Sequence, residues 1–367
     1  MKDLDRHPAK ERGETAAGWS ELRNKAKAYW LVGLRRRMPR GTTLGDQVAR
    51  VYEGQPETAP FRLERVCYDF VNAAWRRGSE PRALLAGGAA LPEESLVLLH
   101  AGLGMALARR LLRPLGAGSP AAELDASMRR FMALVADNSR PDLEPVAIEA
   151  AGTVVRMFLP RLRVGVARWM RAVDPDREAF YWHGVGRAAY FLPASSLPRA
   201  GAMLHALTIC RREPPDAATR LDALAGLAFA VTMINWHQPL LIERLLRLLV
   251  EEPAAAGEPG TAGGLWAADG TVGESAEPGE VEAFASGVAA CVIARRITIP
   301  AAALPPLLAY VPPDAAGGRR VELWEGRVRR PCLAVLAQLY PQLAARGQVA
   351  CFARFQRLGP LLAAGQV

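Results

Sequence analysis

Lysine is nearly absent from this chain. Of its 46 basic residues only Lys2, Lys10, Lys25 and Lys27 are lysines, and the other 42 are arginines. Cysteine and histidine are scarce as well, with five of each in 367 residues. Cys67, Cys210, Cys291, Cys332 and Cys351 form no C-x-x-C pair and stand mostly in apolar text, which excludes a disulfide scaffold and predicts buried, reduced thiols. His7, His100, His183, His205 and His237 include no two residues three or four apart. No helix therefore carries a local metal pair, and neither a metal nor a cofactor is expected. An uninterrupted apolar run of about 20 residues is missing, which argues against a membrane-spanning helix. There is no P-loop, H-E-x-x-H, EF-hand loop or G-x-S-x-G elbow, and Ser195-Ser196 sits in a loop after Pro193. Convincing strand alternation and Asn-Gly hairpins are lacking too; Arg295–Pro300 and Arg320–Trp324 are short isolated stretches with an extended look. The opening MKDLDRHPAKERGE is charged where a secretory signal is apolar, so a cytoplasmic protein is expected.

What remains is 50% apolar and 23% charged, too apolar for disorder and long enough for two domains or one extended repeat array. The net charge of +9 is uneven: +17 outside residues 248–294 and −8 within them. Residues 1–40 supply +6 of it, and the rest is arginine spread over helical text with no focused stripe, which argues against a nucleic-acid partner. Residues 1–18 read as a disordered leader and 19–60 as a basic helix, WSELRNKAKAYWLVGLRRRM, with a connector. Its Trp, Tyr and Arg residues suit either an N-terminal cap or peripheral contact of residues 19–38 with an anionic membrane at the inner face. Residues 61–251 form a helical body, 252–280 an acidic Gly/Pro-rich insert read as disordered, and 281–367 the C-terminal part of the same body.

Within the body apolar residues recur at i, i+3, i+4 and i+7 in Phe61–Arg77, Glu93–Leu112, Leu124–Ala136, Val146–Phe158, Glu178–Leu192, Leu197–Arg211, Ala217–Trp236 and Leu240–Glu251. One helix type returns along the chain, marked by small residues three or four apart: His100-Ala-Gly102-Leu-Gly104, Glu149-Ala-Ala-Gly152, His183-Gly184-Val-Gly186, Ala225-Gly226-Leu-Ala228 and Ser286-Gly287-Val-Ala289. Successive glycines lie 50, 32, 42 and 61 residues apart, the spacing of a two-helix unit, the last lengthened by the insert. Glycine costs about 1 kcal/mol relative to alanine inside a helix, so its repetition predicts close helix packing. The fold expected is all-α: stacked helical hairpins, solenoid-like or layered, without a substantial sheet.

Candidate chemistry centres on Phe180-Tyr-Trp-His183-Gly-Val-Gly186-Arg187. Arg187 falls one turn after His183 on the same face, where it would hold an anion or tune the imidazole; the alternative is a structural pair with a carboxylate. Glu178 is the acid on the same helix, so His183, Arg187 and Glu178 form the catalytic candidate set; Asp69, Glu94 and Glu149 are the other acids near these segments. His100 and His237 would join His183 if the repeats stack their imidazoles in one groove. That groove would be lined by Gly102, Gly184 and Gly186 and by Tyr181, Trp182, Tyr190 and Trp236, which could equally be core aromatics.

The order of Gly102-Leu-Gly-Met105, Phe180-x3-Gly184-Val-Gly186-Arg187-x3-Phe191, Ala225-Gly-Leu-Ala-Phe229 and Phe284-Ala-Ser-Gly287-Val-Ala-Ala290 resembles the UnbL-type family. These are bacterial proteins of unknown function often encoded beside enediyne polyketide synthases. The similarity spans roughly residues 61–310, with Ala101 where that family usually carries an acid. The resemblance implies an accessory role in maturing polyketide or polyene chains, with a hydrophobic small molecule or a partner protein bound in the helical groove. A non-catalytic scaffold and an acid–base enzyme centred on His183 and Arg187 are the alternatives.

Overall fold

The computed structural model describes residues 19–28, 42–54, 58–87, 91–116, 118–192, 195, 201–251, 279–299, 304–313 and 318–345. The leader, residues 29–38 of the basic helix, the acidic insert to residue 278 and the C-terminal residues 346–367 lie outside the described residues. Among the described residues all regular structure is helical, in the layered packing expected of stacked hairpins. The helices are α1 (residues 19–28), α2 (Leu44–Tyr52), α3 (Ala59–Arg76), α4 (Leu96–Leu112), α5 (Ala121–Asn138), α6 (Glu144–Phe158) and α7 (Arg163–Val173). They continue as α8 (Pro175–Phe191), α9 (Gly201–Arg212), α10 (Ala217–Asn235), α11 (Pro239–Glu251), α12 (Glu280–Thr298) and α13 (Pro305–Leu308). Last comes α14 (residues 319–345), interrupted by π-helical turns at Glu325–Arg329 and Val335–Leu339.

Local chemistry sets the starts. Thr43 and Asp46 form a reciprocal capping box at α2, while Asp174 and Asp216 cap α8 and α10 through their carboxylates. Proline occupies the first turns of α3, α6 and α8, where its missing N–H is not needed. Helix α12 begins at Glu280, a residue at the very end of the predicted insert; it is buried and clamped by Arg211 at 2.6 Å. The two stretches that look extended are corrected to helix. Arg295–Thr298 finish α12, and Arg320–Trp324 lie in the first turns of α14. Helix α7 was not among the periodic segments: it is 11 residues long, and Val164 and Val173 stand exposed off its stripe of Val166, Ala167 and Met170.

Helices α3, α4, α6, α8, α10 and α12 lie side by side and run in the same direction. Contacts near their first turns join Glu93 to Arg140, Glu144 to Arg177, and Glu178 through Arg171 to Asp216. Near their last turns Arg109 stacks on Phe158, and Asn235 Nδ2 donates to Tyr190 Oη at 2.8 Å. From α4 onward each return is made by an outer helix, α5, α7, α9 or α11, packed on the inner pair it connects, whereas α3 leads to α4 through a connection without an outer helix among the described residues. Helix α12 also reaches back to α3, α4 and the turn Glu93–Ser95, so the row curls. The segment Glu93–Leu112 and α10 are long and apolar enough to cross a membrane, yet 78% of the most apolar window of each is buried inside the fold.

The recurring glycines are where the inner helices meet. A Cβ on Gly104 would lie 2.1 Å from the Ala147 carbonyl oxygen, one on Gly152 2.1 Å from that of Tyr181, and one on Gly226 1.9 Å from that of His183. For Gly184 and Gly186 the distance to the carbonyl oxygens of Glu149 and Ala223 would be 1.8 Å. Backbone packs directly on backbone, a geometry supported by dispersion and Cα–H···O contacts. Gly184→Ala should therefore lower the unfolding free energy by about 3 kcal/mol or more in urea titrations, since a helix backbone has to move. Gly326→Ala on α14 meets nothing within 4 Å and should raise it by roughly 0.5–1 kcal/mol.

Candidate functional site

The inner face of α8 carries His183 and Arg187 one turn apart, and both reach the same carboxylate. His183 Nδ1 lies 3.0 Å from Glu149 Oε1 on α6, and Arg187 Nη1 donates to that oxygen at 3.1 Å. Arg187 Nη2 extends to Glu64 Oε2 on α3 at 3.5 Å. Phe229 of α10 packs edge-on against the His183 ring at 5.7 Å and lies under the Arg187 guanidinium, also at 5.7 Å. Five side chains from four inner helices thus converge. Cys291 on α12 lies close enough to feel Arg187; burial pushes its thiol up to about 12, against the pull of Arg295 and Arg187.

The cluster is graded in burial. Glu149 and His183 keep 1% and 2% of their side-chain surface, while Glu64 and Arg187 keep 15% and 16%, so solvent reaches the cluster from the Glu64 end. The two carboxyls are displaced in opposite directions. Burial, reinforced by Glu149, raises Glu64 above 4.5 despite Arg187. Burial also works against ionised Glu149, but His183 and Arg187 together hold it below 4.5. Arg187 is raised by Glu149 and Glu64 in spite of its own burial. Glu149 Oε2 is enclosed and has no hydrogen-bond partner, an uncommon state for a buried carboxylate oxygen.

The remaining candidates lie elsewhere. Glu178 does not face His183: it is held by Arg171 Nε at 2.5 Å and by Trp182 Nε1 at 3.1 Å near the start of α8. The acid opposite the imidazole is Glu149, placed there because Gly184 and Gly152 bring α6 and α8 into backbone contact. Gly102, Gly184 and Gly186 do not line a groove, since a neighbouring backbone already occupies the space beside each. His100 Nδ1 donates to the Leu96 carbonyl at 2.7 Å, and its Nε2 accepts the Arg140 N–H at 3.2 Å. That pair of bonds selects the neutral ring, and burial lowers its pKa to about 4. His237 is exposed beyond the end of α10, beside Trp236, whose ring stacks under Arg295 at 4.2 Å. The three imidazoles thus stand at the start, middle and end of the layer.

Tyr181 and Trp182 belong to the apolar core of the first half, with Tyr181 Oη donating to the Arg163 carbonyl at 3.0 Å. Tyr190 belongs to the core of the second half. There it meets a network that the sequence did not suggest. Lys25 of α1 is 1% exposed, lies 2.8 Å from Glu21, donates to the Ser195 carbonyl at 2.5 Å and sits 3.7 Å over the Tyr190 ring. Burial lowers its pKa, partly opposed by Glu21. Asn24 donates to Asn235 at 2.9 Å and to Gln238 at 3.0 Å, so α1 docks on the body through polar side chains, with Trp19 left 58% exposed. Glu64 was also missed; its one signal is that it shares a helix face with Cys67, the face that meets Gly102.

No family model, curated protein or solved structure matches this chain.

Arg187→Met leaves Glu64 and Glu149 facing one another without their cation and should cost about 3–5 kcal/mol in chemical denaturation at pH 7. A histidine whose folded pKa is lowered from 6.5 to about 4 destabilises the fold as pH drops between those values, by about 3 kcal/mol in all. Glu149, held below its ordinary value, acts in the same direction below pH 4.5, whereas Glu64, raised above 4.5, stabilises the fold as pH falls toward 4.5. Replacing His100 with Gln should flatten the stability profile between pH 6.5 and 4, measured by urea titration at each pH.

Proposed function

We propose that this protein binds a largely apolar molecule inside the curled layer, as an accessory protein of a bacterial polyketide or polyene pathway. The supporting observation is Glu149 Oε2: a buried carboxylate oxygen without a donor, beside His183 and Arg187, in a cluster that solvent enters from Glu64. A hydroxyl or N–H on the bound molecule would donate to that oxygen, and its apolar body would lie against Phe229 and neighbouring small residues. The pathway class rests on the likeness of the Phe180–Phe191 and glycine segments to the UnbL-type family. The reading includes a cytoplasmic location, with peripheral contact through residues 19–38 or a partner protein delivering the ligand.

A second reading is acid–base catalysis, favoured by the opposite displacement of Glu64 and Glu149. Two carboxyls pushed apart by their surroundings are suited to act as proton donor and acceptor. In that reading Glu64 delivers a proton, Glu149 takes one, and His183 and Arg187 hold Glu149 ionised.

Native mass spectrometry of the full chain, produced together with its neighbouring genes, should show a bound mass that Glu149→Ala loses. Empty protein, with an unchanged metabolite profile after gene deletion, would overturn ligand binding and leave the array as a scaffold. If the cluster is catalytic, Glu64→Gln and Glu149→Gln should each lower turnover of that ligand by about 100-fold or more while the protein stays folded.

A further inference from the structure

The two ends of the inner layer differ in charge. Where the inner helices begin stand Glu93, Glu144, Asp174, Asp216 and Glu280, each bound by an arginine. Where they end, Arg76 and Arg77 of α3 and Arg110 and Arg113 of α4 are exposed, and so is Arg161 in the turn after α6. Among the described residues none of these five has a carboxylate partner. The acids nearby are few and mostly committed: Asp125 to Arg129 and Trp169, and Glu80 to Arg130, which leaves Glu123 at the start of α5.

These arginines are far apart in sequence, and printed contacts bring them together. Arg110 lies over the Trp75 ring at 6.0 Å, which joins the end of α4 to that of α3. Arg161 Nη2 donates to the Leu115 carbonyl at 2.9 Å, and Arg109 lies over Phe158 at 4.8 Å, which joins α4 to the end of α6. The same end of the layer receives α1, through Asn24 on Asn235 and Gln238. Helix α1 adds Arg23 and Lys27, both exposed.

Apolar side chains are set among these charges. Trp19, Phe158, Val164 and Leu240 are four of the seven large apolar residues left exposed among the described residues, and all four lie where inner helices end or the next helix starts. Basic residues at helix C-termini complement the macrodipole, which accounts for the sign of the charge. It does not account for a Trp, a Phe, a Val and a Leu facing solvent beside them. A phosphate backbone or an acidic protein would pair with the arginines, but the apolar residues are interspersed with basic ones and form no single patch for a protein core to cover. Lipid accepts such side chains one at a time while its headgroups meet the arginines.

We propose that this end of the fold, with Arg110, Arg113, Arg161, Phe158 and Val164 at its centre and α1 beside them, docks on an anionic membrane surface. The contact extends from residues 19–38 to the folded body itself. It is independent of the ligand assigned to the Glu149 cluster.

The test is co-sedimentation of the full chain with vesicles of phosphatidylcholine containing about 30% phosphatidylglycerol, against phosphatidylcholine alone. Binding should appear on the anionic vesicles only and fall as salt rises from about 0.1 to 0.5 M. Arg110→Glu combined with Arg113→Glu should weaken it about 20-fold or more, and Phe158→Ser several-fold, with unchanged melting transitions. Orientation is read from an environment-sensitive dye in a Cys351→Ser background, whose described cysteines are all buried. The dye on Phe158→Cys should brighten with vesicles, and on Val173→Cys, 51% exposed at the opposite end, it should not. Equal brightening at both positions, binding to neutral vesicles, or no binding at all would overturn the proposal. Binding lost in Trp19→Ser with Lys27→Glu but kept in the Arg110 and Arg113 variant would confine the contact to α1 and overturn it for the body. Equally tight binding of poly-glutamate or duplex DNA, with Phe158→Ser without effect, would replace the membrane with a polyanionic partner.

Discussion

Direct contact between helix backbones is the constraint on which the rest of this structure depends. Where Gly184 meets the Glu149 carbonyl and Gly226 meets that of His183, no side chain separates neighbouring inner helices. Parallel helices packed this closely need returns on the outside, and from α4 onward α5, α7, α9 and α11 supply them. The same contacts set the register of the charged cluster. Glu149 lies opposite His183 because its own carbonyl fills the place of a side chain on Gly184. A methyl group at that contact would displace the helix and, with it, the acid.

The abundance of arginine finds its use in the seams between helices. Arg140, Arg177, Arg171, Arg211 and Arg320 each bind a carboxylate on a different element, several at or near a helix start. The planar guanidinium can serve two carboxylates at once, as Arg171 does for Glu178 and Asp216 and as Arg187 does for Glu149 and Glu64. A net charge that looks like a surface property is thus partly invested in internal clamps. Lys25, one of only four lysines, shows the contrast: it is buried as a point charge against Glu21, a carbonyl and an aromatic face.

Burial leaves polar atoms without hydrogen-bond partners at several places among the described residues, Tyr52 Oη, Ser139 Oγ and Trp324 Nε1 among them. Glu149 Oε2 is distinguished by its surroundings: it is an acceptor without a donor beside His183 and Arg187, in a cluster that partly exposed Glu64 connects to solvent.

The periodic text and the recurring glycines determined that the fold is all-α and that its unit is a helix pair, because helix periodicity and small-residue spacing are properties of one segment at a time. They also singled out His183 and Arg187 as sharing a helix face. Which acid completes that face was decided only by tertiary structure: Glu178 shares the helix, but Glu149 and Glu64 come from α6 and α3. The glycines that suggested a groove are covered for the same reason, since a small residue shows equally well an open surface or a neighbour's backbone, and the sequence does not say which. The docking of α1 through Asn24 and Lys25 was hidden too, because a charged residue reads as solvated until a partner more than 160 positions away encloses it. Local pattern specifies what each helix can bury; the approach of distant helices decides what it does bury.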